Sequence, residues 1–267
     1  MIHLREITLN ITSRNQQLYP FSLLLIQNLE RMPFPSTVTI FIGENGSGKS
    51  TLLAGIAKAS EIIRVGSEDF IQEPDDKASS ELADAMRLVW NKRIHKGFFL
   101  RAEDFFRFTE NLQMLRQNFQ AEINRVDRDY QDRSDYSKKL AKGPAVSSMR
   151  ALDERYGTSP GAKSHGERFL NLFQSRFVPG GLYLLDEPEA ALSPISQLGL
   201  ISMIKEMLQQ DAQFIIATHS PILMACPQGT IYDFDQHPPV TREYETIEHV
   251  RLYRSFLTDP EAFLHHL

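Results

Sequence analysis

The chain has 267 residues, 42% hydrophobic and 24% charged, enough for one large α/β domain or two small ones with a self-sufficient core. A formal net charge of −5 excludes a basic nucleic-acid coat, and the single cysteine, Cys226, excludes an intrachain disulfide and a cysteine zinc cluster. No stretch approaches the roughly 20 apolar residues of a membrane helix, and residues 1–11, which include His3, Arg5 and Glu6, lack a signal peptide's apolar core. The expectation is a cytoplasmic protein with no membrane span of its own.

Residues 2–11 alternate apolar and polar, as a half-buried strand does. Residues 21–26 form a second strand-like run, and two prolines at 33 and 35 then break the chain. Residues 37–42 are a β-branched run ending at a glycine, the pattern of a buried strand, and 51–63 have helical composition. A polar loop is expected over 66–80, a helix over 81–90, and a short strand or helix start at 98–100. Phe105, Phe108, Leu112, Leu115 and Phe119 recur at helical spacing within 104–126. Residues 127–139 are dense in both charge signs and read as solvated. Residues 142–164, with Gly143-Pro144 and Pro160-Gly161, read as a long loop.

A regular alternation then resumes: helix over 167–177, strand over 182–185, helix over 194–210, strand over 214–217, and a terminal helix over 248–267. This order predicts one α/β domain, 1–267, with a mostly parallel sheet covered by helices. Residues 66–163 are expected as a helical and loop insertion within it. The ending Phe263 to Leu267 is read as a packed helix or a docking segment, and His265 and His266 alone do not make a metal site.

Gly43-Glu44-Asn45-Gly46-Ser47-Gly48-Lys49-Ser50 matches the phosphate-loop pattern completely, after a predicted strand and before a predicted helix. Glycines let successive N–H groups curl toward phosphates, and the helix adds its positive end, with Thr51 in its first turn. Lys49 brings charge to the β- and γ-phosphates, and Ser50 offers a hydroxyl to Mg²⁺.

The run Leu182-Tyr183-Leu184-Leu185-Asp186-Glu187-Pro188-Glu189 is an apolar strand ending in carboxylates, which a parallel sheet delivers to the ligand crevice. Asp186 is expected to help hold Mg²⁺, and Glu187 to polarise the attacking water; Glu189 is read as a solvated loop residue. Phe214-Ile215-Ile216-Ala217-Thr218-His219 ends similarly, with His219 as a γ-phosphate contact or a satisfied structural residue. Ser164-His165-Gly166-Glu167 has capping-box spacing and also suits a phosphate from another molecule.

Phosphate loop, Ser-x-Gly-Glu, Asp-Glu strand and His strand, in that order, resemble the ABC ATPase superfamily. The likeness is greatest to its soluble SMC and RecF-like branch and, through Gly-Phe-Phe-Leu-Arg-Ala-Glu at 97–103, to small stand-alone ATPases. The resemblance implies ATP and Mg²⁺ as ligands, hydrolysis to ADP and phosphate, and a homodimer or a heterodimer with a related ATPase. In that dimer each ATP would lie between Lys49 of one subunit and Ser164 and Gly166 of the other. His165 replaces the first glycine of the common signature, and Ser193 stands where an aspartate is frequent. For the superfamily's Mg²⁺-contacting glutamine, Glu103 lies at about the right distance from Lys49 and Gln72 too early, with a surface residue as the other reading of each. Tyr19 is a candidate adenine-stacking or packing residue. The middle is too short for a long coiled coil. The function expected is a nucleotide-driven switch acting on a partner, such as a nuclease or toxin, or on DNA or RNA. The alternatives are the nucleotide-binding subunit of a membrane transporter and a nucleotide-gated scaffold.

Overall fold

The apolar runs of the sequence collect into two sheets. The computed structural model describes residues 1–10, 17–65, 77–156 and 165–265. Strand β1 (Leu4–Leu9), the short helix α1 (Leu24–Asn28), strands β2 (Arg31–Pro33) and β3 (Val38–Ile42) and helix α2 (Lys49–Ala59) come first. Then follow β4 (Ile63–Arg64), α3 (Lys77–Ala85), β5 (Met86–Trp90), β6 (Gly97–Arg101), and the long helices α4 (Ala102–Asp129) and α5 (Asp135–Tyr156). The last part holds α6 (His165–Arg176), β7 (Leu182–Asp186), a 3-10 turn (Pro188–Ala191), α7 (Pro194–Leu208), β8 (Gln213–Ala217) and α8 (Pro221–Met224). Strands β9 (Gly229–Asp233) and β10 (Val240–Arg242) and helices α9 (Glu248–Thr258) and α10 (Pro260–Leu264) end the chain.

The main sheet runs β10-β9-β3-β8-β7-β6-β4 and is parallel except for β10. Every residue of β3, β7 and β8 is buried, as both-face coverage of a parallel sheet requires. Alternation divides their side chains. Val38, Ile40, Tyr183, Leu185, Phe214 and Ile216 meet residues of α4, α6 and α7 on one face. Phe41, Leu182, Leu184, Ile215 and Ala217 meet α2, α3 and the smaller sheet on the other. On the first face an aromatic cluster of Phe98, Phe169, Phe173, Phe177, Tyr183 and Phe214 fills the core, with ring centroids 4.7–5.8 Å apart. The Tyr183 hydroxyl inside it donates to the Val178 carbonyl at 2.7 Å, so its polar end is satisfied.

The smaller sheet, β2-β1-β5, is antiparallel. Gln213, fully buried at the start of β8, fastens it to the main sheet. Its amide oxygen accepts from the His3 and Leu4 N–H groups at 2.8 and 2.9 Å, and its amide nitrogen donates to the Leu4 carbonyl at 2.8 Å.

Several expectations need correction. Residues 21–26 do not form a strand: α1 takes their second half, with Leu25, Ile26 and Leu29 buried and Leu24 exposed. That is helical spacing, and leucine has good helix propensity. Residues 81–90 are not one helix: α3 stops at Ala85 and β5 pairs with β1, because edge pairing rewards Leu88, Val89 and Trp90 as strand residues. Of the loop expected over 142–164, residues 142–156 instead continue α5 through Gly143-Pro144, and 157–164 lie outside the described residues. Ala145 is buried and half-buried Leu152 packs against the core, α5 lies along α4, and ion pairs Lys142–Asp127 and Arg116–Asp153 join the two helices. Packing there outweighs the cost of an interior proline. Within the span 66–163, β6 covers the strand or helix start expected at 98–100 and lies in the main sheet between β7 and β4.

Candidate functional site

The site follows from strand order. Strand β8 lies between β3 and β7, with β6 beyond, and register places Phe41, Ala217, Asp186 and Arg101 in one row. The residues just past that row are therefore neighbours, although they lie far apart in the chain. Ligands of open parallel sheets bind outside these carboxyl ends.

From β3 the chain enters the phosphate loop. Gly43, Gly46 and Gly48 adopt φ of +138°, +87° and +97°, values that L side chains rarely take. The loop curls around Lys49, which is buried; its Nζ donates to the Gly43 and Glu44 carbonyls at 2.7 and 2.8 Å and contacts Ser47 Oγ at 3.3 Å. The Glu44 N–H donates to Asp235 Oδ1 at 2.8 Å, anchoring the loop from the segment after β9. Asn45 and Gly46 are exposed. No side chain caps α2, so its first-turn N–H groups are open to an anion. Burial lowers the Lys49 pKa, opposed by Glu187, Asp235, Asp186 and Glu189.

Ser50, in the first turn of α2, donates to Asp186 Oδ1 at 2.9 Å. Asp186, 5% exposed, has its pKa pushed up to about 6 by burial, against the Ser50 hydrogen bond and Arg101. Arg101 Nε lies 3.7 Å from Asp186 Oδ2, and Arg101 Nη1 lies 3.7 Å from Glu103. The pair Ser50 and Asp186 offers two hard oxygens side by side, which suits Mg²⁺.

Glu187 follows Asp186 with φ +50° and ψ +47°, a left-handed conformation costing about 1–2 kcal/mol for a residue with a Cβ. Such strain clusters at functional positions. Its Oε1 is 3.7 Å from His219 Nε2. The His219 Nε2 atom is buried with no hydrogen-bond partner among the described residues. Burial first, then Lys49, lowers the His219 pKa. These features fit a nucleotide triphosphate with Mg²⁺: a curled glycine loop, a buried lysine, paired hard oxygens, and an orphaned imidazole nitrogen near the acidic turn.

Lys49, Ser50, Asp186, Glu187 and His219 thus meet at one sheet edge. Glu103 stands apart in the first turn of α4, its side chain 61% exposed and tied to Asp186 only through Arg101. The Tyr19 hydroxyl lies 2.9 Å from Thr51 Oγ1, with the ring 57% exposed. Gly166 lies in the first turn of α6; Ser164 and Gln72 lie outside the described residues. Ser193 serves as the N-cap of α7, accepting from the Ser196 N–H at 3.2 Å.

The sequence reading missed Arg101, Asp235 and Gln197, and it placed Glu189 in solvent. Glu189 instead accepts the His219 N–H at 2.6 Å. Their partners lie on other strands, and no local pattern announces them; only Ser220, before Pro221, carries a helix-start signal.

Among curated proteins, the chain is 27% identical over 188 residues to the phosphate import ATP-binding protein PstB of Bacillus cereus, covering 68% of this chain and 64% of that protein. It is 27% identical over 206 residues to the macrolide export ATP-binding/permease protein MacB of Hahella chejuensis, covering 75% of this chain and 28% of that protein. The chain therefore spans less than two thirds of either relative. Among solved structures, it aligns with a nucleotide-free ATP-binding cassette from an ABC transporter at TM-score 0.43 and 14% identity, over 100% of this chain and 99% of that one. It aligns with the Pyrococcus furiosus Smc head domain at TM-score 0.42 and 14% identity, over 96% and 100% of the two chains. The profile of the family described as "AAA domain, putative AbiEii toxin, Type IV TA system" matches residues 77–225, more than half of the 267, and the chain belongs to this family of ABC-like ATPase domains.

Proposed function

We propose that the chain binds ATP with Mg²⁺ on the phosphate loop and hydrolyses it to ADP and phosphate within a dimer closed around two nucleotides. The observation that carries this reading is the convergence of Lys49, the Ser50–Asp186 pair, Glu187 and His219 at the edge of β3, β8 and β7. The loop N–H groups and Lys49 bind the phosphates, from Gly43 through Ser50 and Thr51. Ser50 and Asp186 would hold Mg²⁺, and the ion would neutralise charge developing on the phosphates; Glu103 reaches this pair only through Arg101. Glu187 accepts a hydrogen bond from the attacking water, and His219 Nε2 donates to the γ-phosphate.

Ser164 and Gly166 would complete the site from a second subunit, a copy of this chain or a related ATPase. Nucleotide then drives association, and hydrolysis releases it. Such a cycle suits a cytoplasmic switch that presents a surface to an effector protein, a nuclease or toxin, or to a DNA or RNA process. The family's description, which names a toxin–antitoxin system, supports an effector partner.

The test is the solution mass of the Glu187→Gln protein with and without Mg-ATP, beside the same protein also carrying Ser164→Arg. Turnover should fall about a hundredfold or more in Glu187→Gln. ATP should double the mass, and the arginine should prevent it. A mass of one chain with ATP bound would refute the self-dimer and assign the second half-site to another protein.

Similarity to PstB and MacB supports a second reading, a transporter's nucleotide-binding subunit. Among the described residues no helix is long and apolar enough to cross a membrane, so in that role the membrane-spanning part lies outside them. Stable ATP-dependent recovery of the Glu187→Gln protein with a detergent-solubilised multi-span protein would favour it.

A further inference from the structure

The N–H of His219 lies beyond the ladder of β8, which ends at Ala217. Its neighbours have other acceptors: the Thr218 N–H donates to the Phe41 carbonyl of β3 at 3.1 Å, and the Ser220 N–H to Thr218 Oγ1 at 3.0 Å. The His219 N–H instead reaches the carboxylate of Glu189, 30 positions earlier in the chain, at 2.6 Å. A bond from an amide to an ionised carboxylate is among the stronger hydrogen bonds.

Glu189 sits in the 3-10 turn that begins directly after Glu187. Its Oε2 is buried with no hydrogen-bond partner among the described residues. An idle buried carboxylate oxygen is costly, and such groups in native structures call for a reason. Glu187 itself does not set the imidazole: its Oε1 is 3.7 Å from Nε2, beyond hydrogen-bond length. The His249 ring lies near the imidazole, with centroids 6.5 Å apart.

A second link joins the same two segments. Ser220 Oγ donates to Gln197 Oε1 at 2.5 Å, and Gln197 Nε2 donates to the Leu192 carbonyl at 3.2 Å. The stretch after β7 and the stretch after β8 are therefore laced together twice, and Glu189 supplies the link nearest the imidazole.

We infer that Glu189 is a positioning residue, whose carboxylate holds the His219 backbone so that the imidazole stays beside Glu187 and the γ-phosphate. This rests on the roles proposed above for Glu187 and His219. Losing the bond frees the histidine turn without breaking any hydrogen bond of the phosphate loop, so turnover should suffer far more than nucleotide binding.

The experiment compares wild type, Glu189→Ala and Glu189→Gln in the dimer-forming protein. In Glu189→Ala, kcat should fall about tenfold to a hundredfold, the cost of an ångström-scale misplacement, while KM for ATP stays within about twofold. Glu189→Gln keeps an acceptor oxygen and should recover most of the loss. Without nucleotide, amide hydrogen exchange over residues 218–220 should be faster in Glu189→Ala and restored in Glu189→Gln. An unchanged kcat in Glu189→Ala, unchanged exchange, or no recovery with glutamine overturns the inference. If wild type itself hydrolyses no ATP, the proposed function fails and the exchange comparison alone decides the role of Glu189.

Discussion

The phosphate-loop side of the site, Gly43 to Ser50, takes its shape mainly from its own backbone, with Asp235 and Asp186 as outside anchors, whereas the Glu187–His219 side is held by side chains that reach between distant segments. Lys49 is satisfied within the loop by the Gly43 and Glu44 carbonyls, and positive φ at three glycines shapes the turn. Across the sheet edge, His219 depends on Glu189, and Ser220 on Gln197. The first side is a preformed cradle, and the second can be displaced by breaking one or two bonds. A site built this way can bind its ligand before the reacting groups are aligned, which agrees with the switch proposed above.

The largest expected effect is on the cradle. Lys49→Ala removes the buried cation and leaves two carbonyls without their donor. Affinity for a fluorescent ATP analogue should drop by roughly a hundredfold, equivalent to about 3 kcal/mol. Retained affinity would mean that the loop backbone alone binds the phosphates.

Gly48→Ala tests whether the cradle's shape is strained for an ordinary residue. A Cβ there would sit at φ +97° and 2.7 Å from Leu25 Cδ2. The side chain of Leu25 can shift but the dihedral cannot, so urea unfolding should show a loss of about 1–3 kcal/mol. Glu187→Gly probes the other side with the opposite sign. Removing the Cβ from a left-handed position should raise stability by about 1 kcal/mol while turnover collapses. A stability loss instead would show that the Glu187 side chain contributes packing as well as chemistry.

The smallest effect serves as a control outside both sides. His3, buried at the seam of the two sheets, places Nε2 2.6 Å from the Asp211 carbonyl, so Nε2 carries the proton and donates. Its Nδ1 is buried with no hydrogen-bond partner among the described residues. Burial lowers its pKa below the usual 6.5, so below that pH the unfolded chain binds a proton that the folded chain refuses. Stability from this group is complete above pH 6.5 and declines as the pH falls through that value toward the lowered folded pKa. In His3→Gln the urea midpoint should drop less between pH 7.5 and 5.5 than in wild type, with ATP affinity unchanged. An equal drop would place the acid sensitivity elsewhere.

Legibility in the sequence follows the same division. The phosphate loop is one contiguous segment whose geometry needs glycines at set positions, so it can be read directly. Asp186, Glu187 and His219 are readable because each ends an apolar strand. Glu189 was misread because a glutamate on a short turn is ordinarily solvated; only the neighbouring strand's backbone gives it a partner. The same reason explains β5: Met86 to Trp90 has helical neighbours, and β1 makes it a strand. In α5, Gly143-Pro144 argues locally for a break, yet the packing of Leu152 and the ion pairs to α4 keep the helix whole.

Taken alone, then, the amino-acid order determined the α/β class, the phosphate loop, the acidic strand end and the absence of any long apolar span, because each depends on spacing within a few residues. Tertiary structure alone decided that β8 lies between β3 and β7, that Arg101 stands beside Asp186, and that Glu189 grips the turn of His219. These are contacts between segments tens to more than a hundred residues apart, and only the register of neighbouring strands brings their ends into one row.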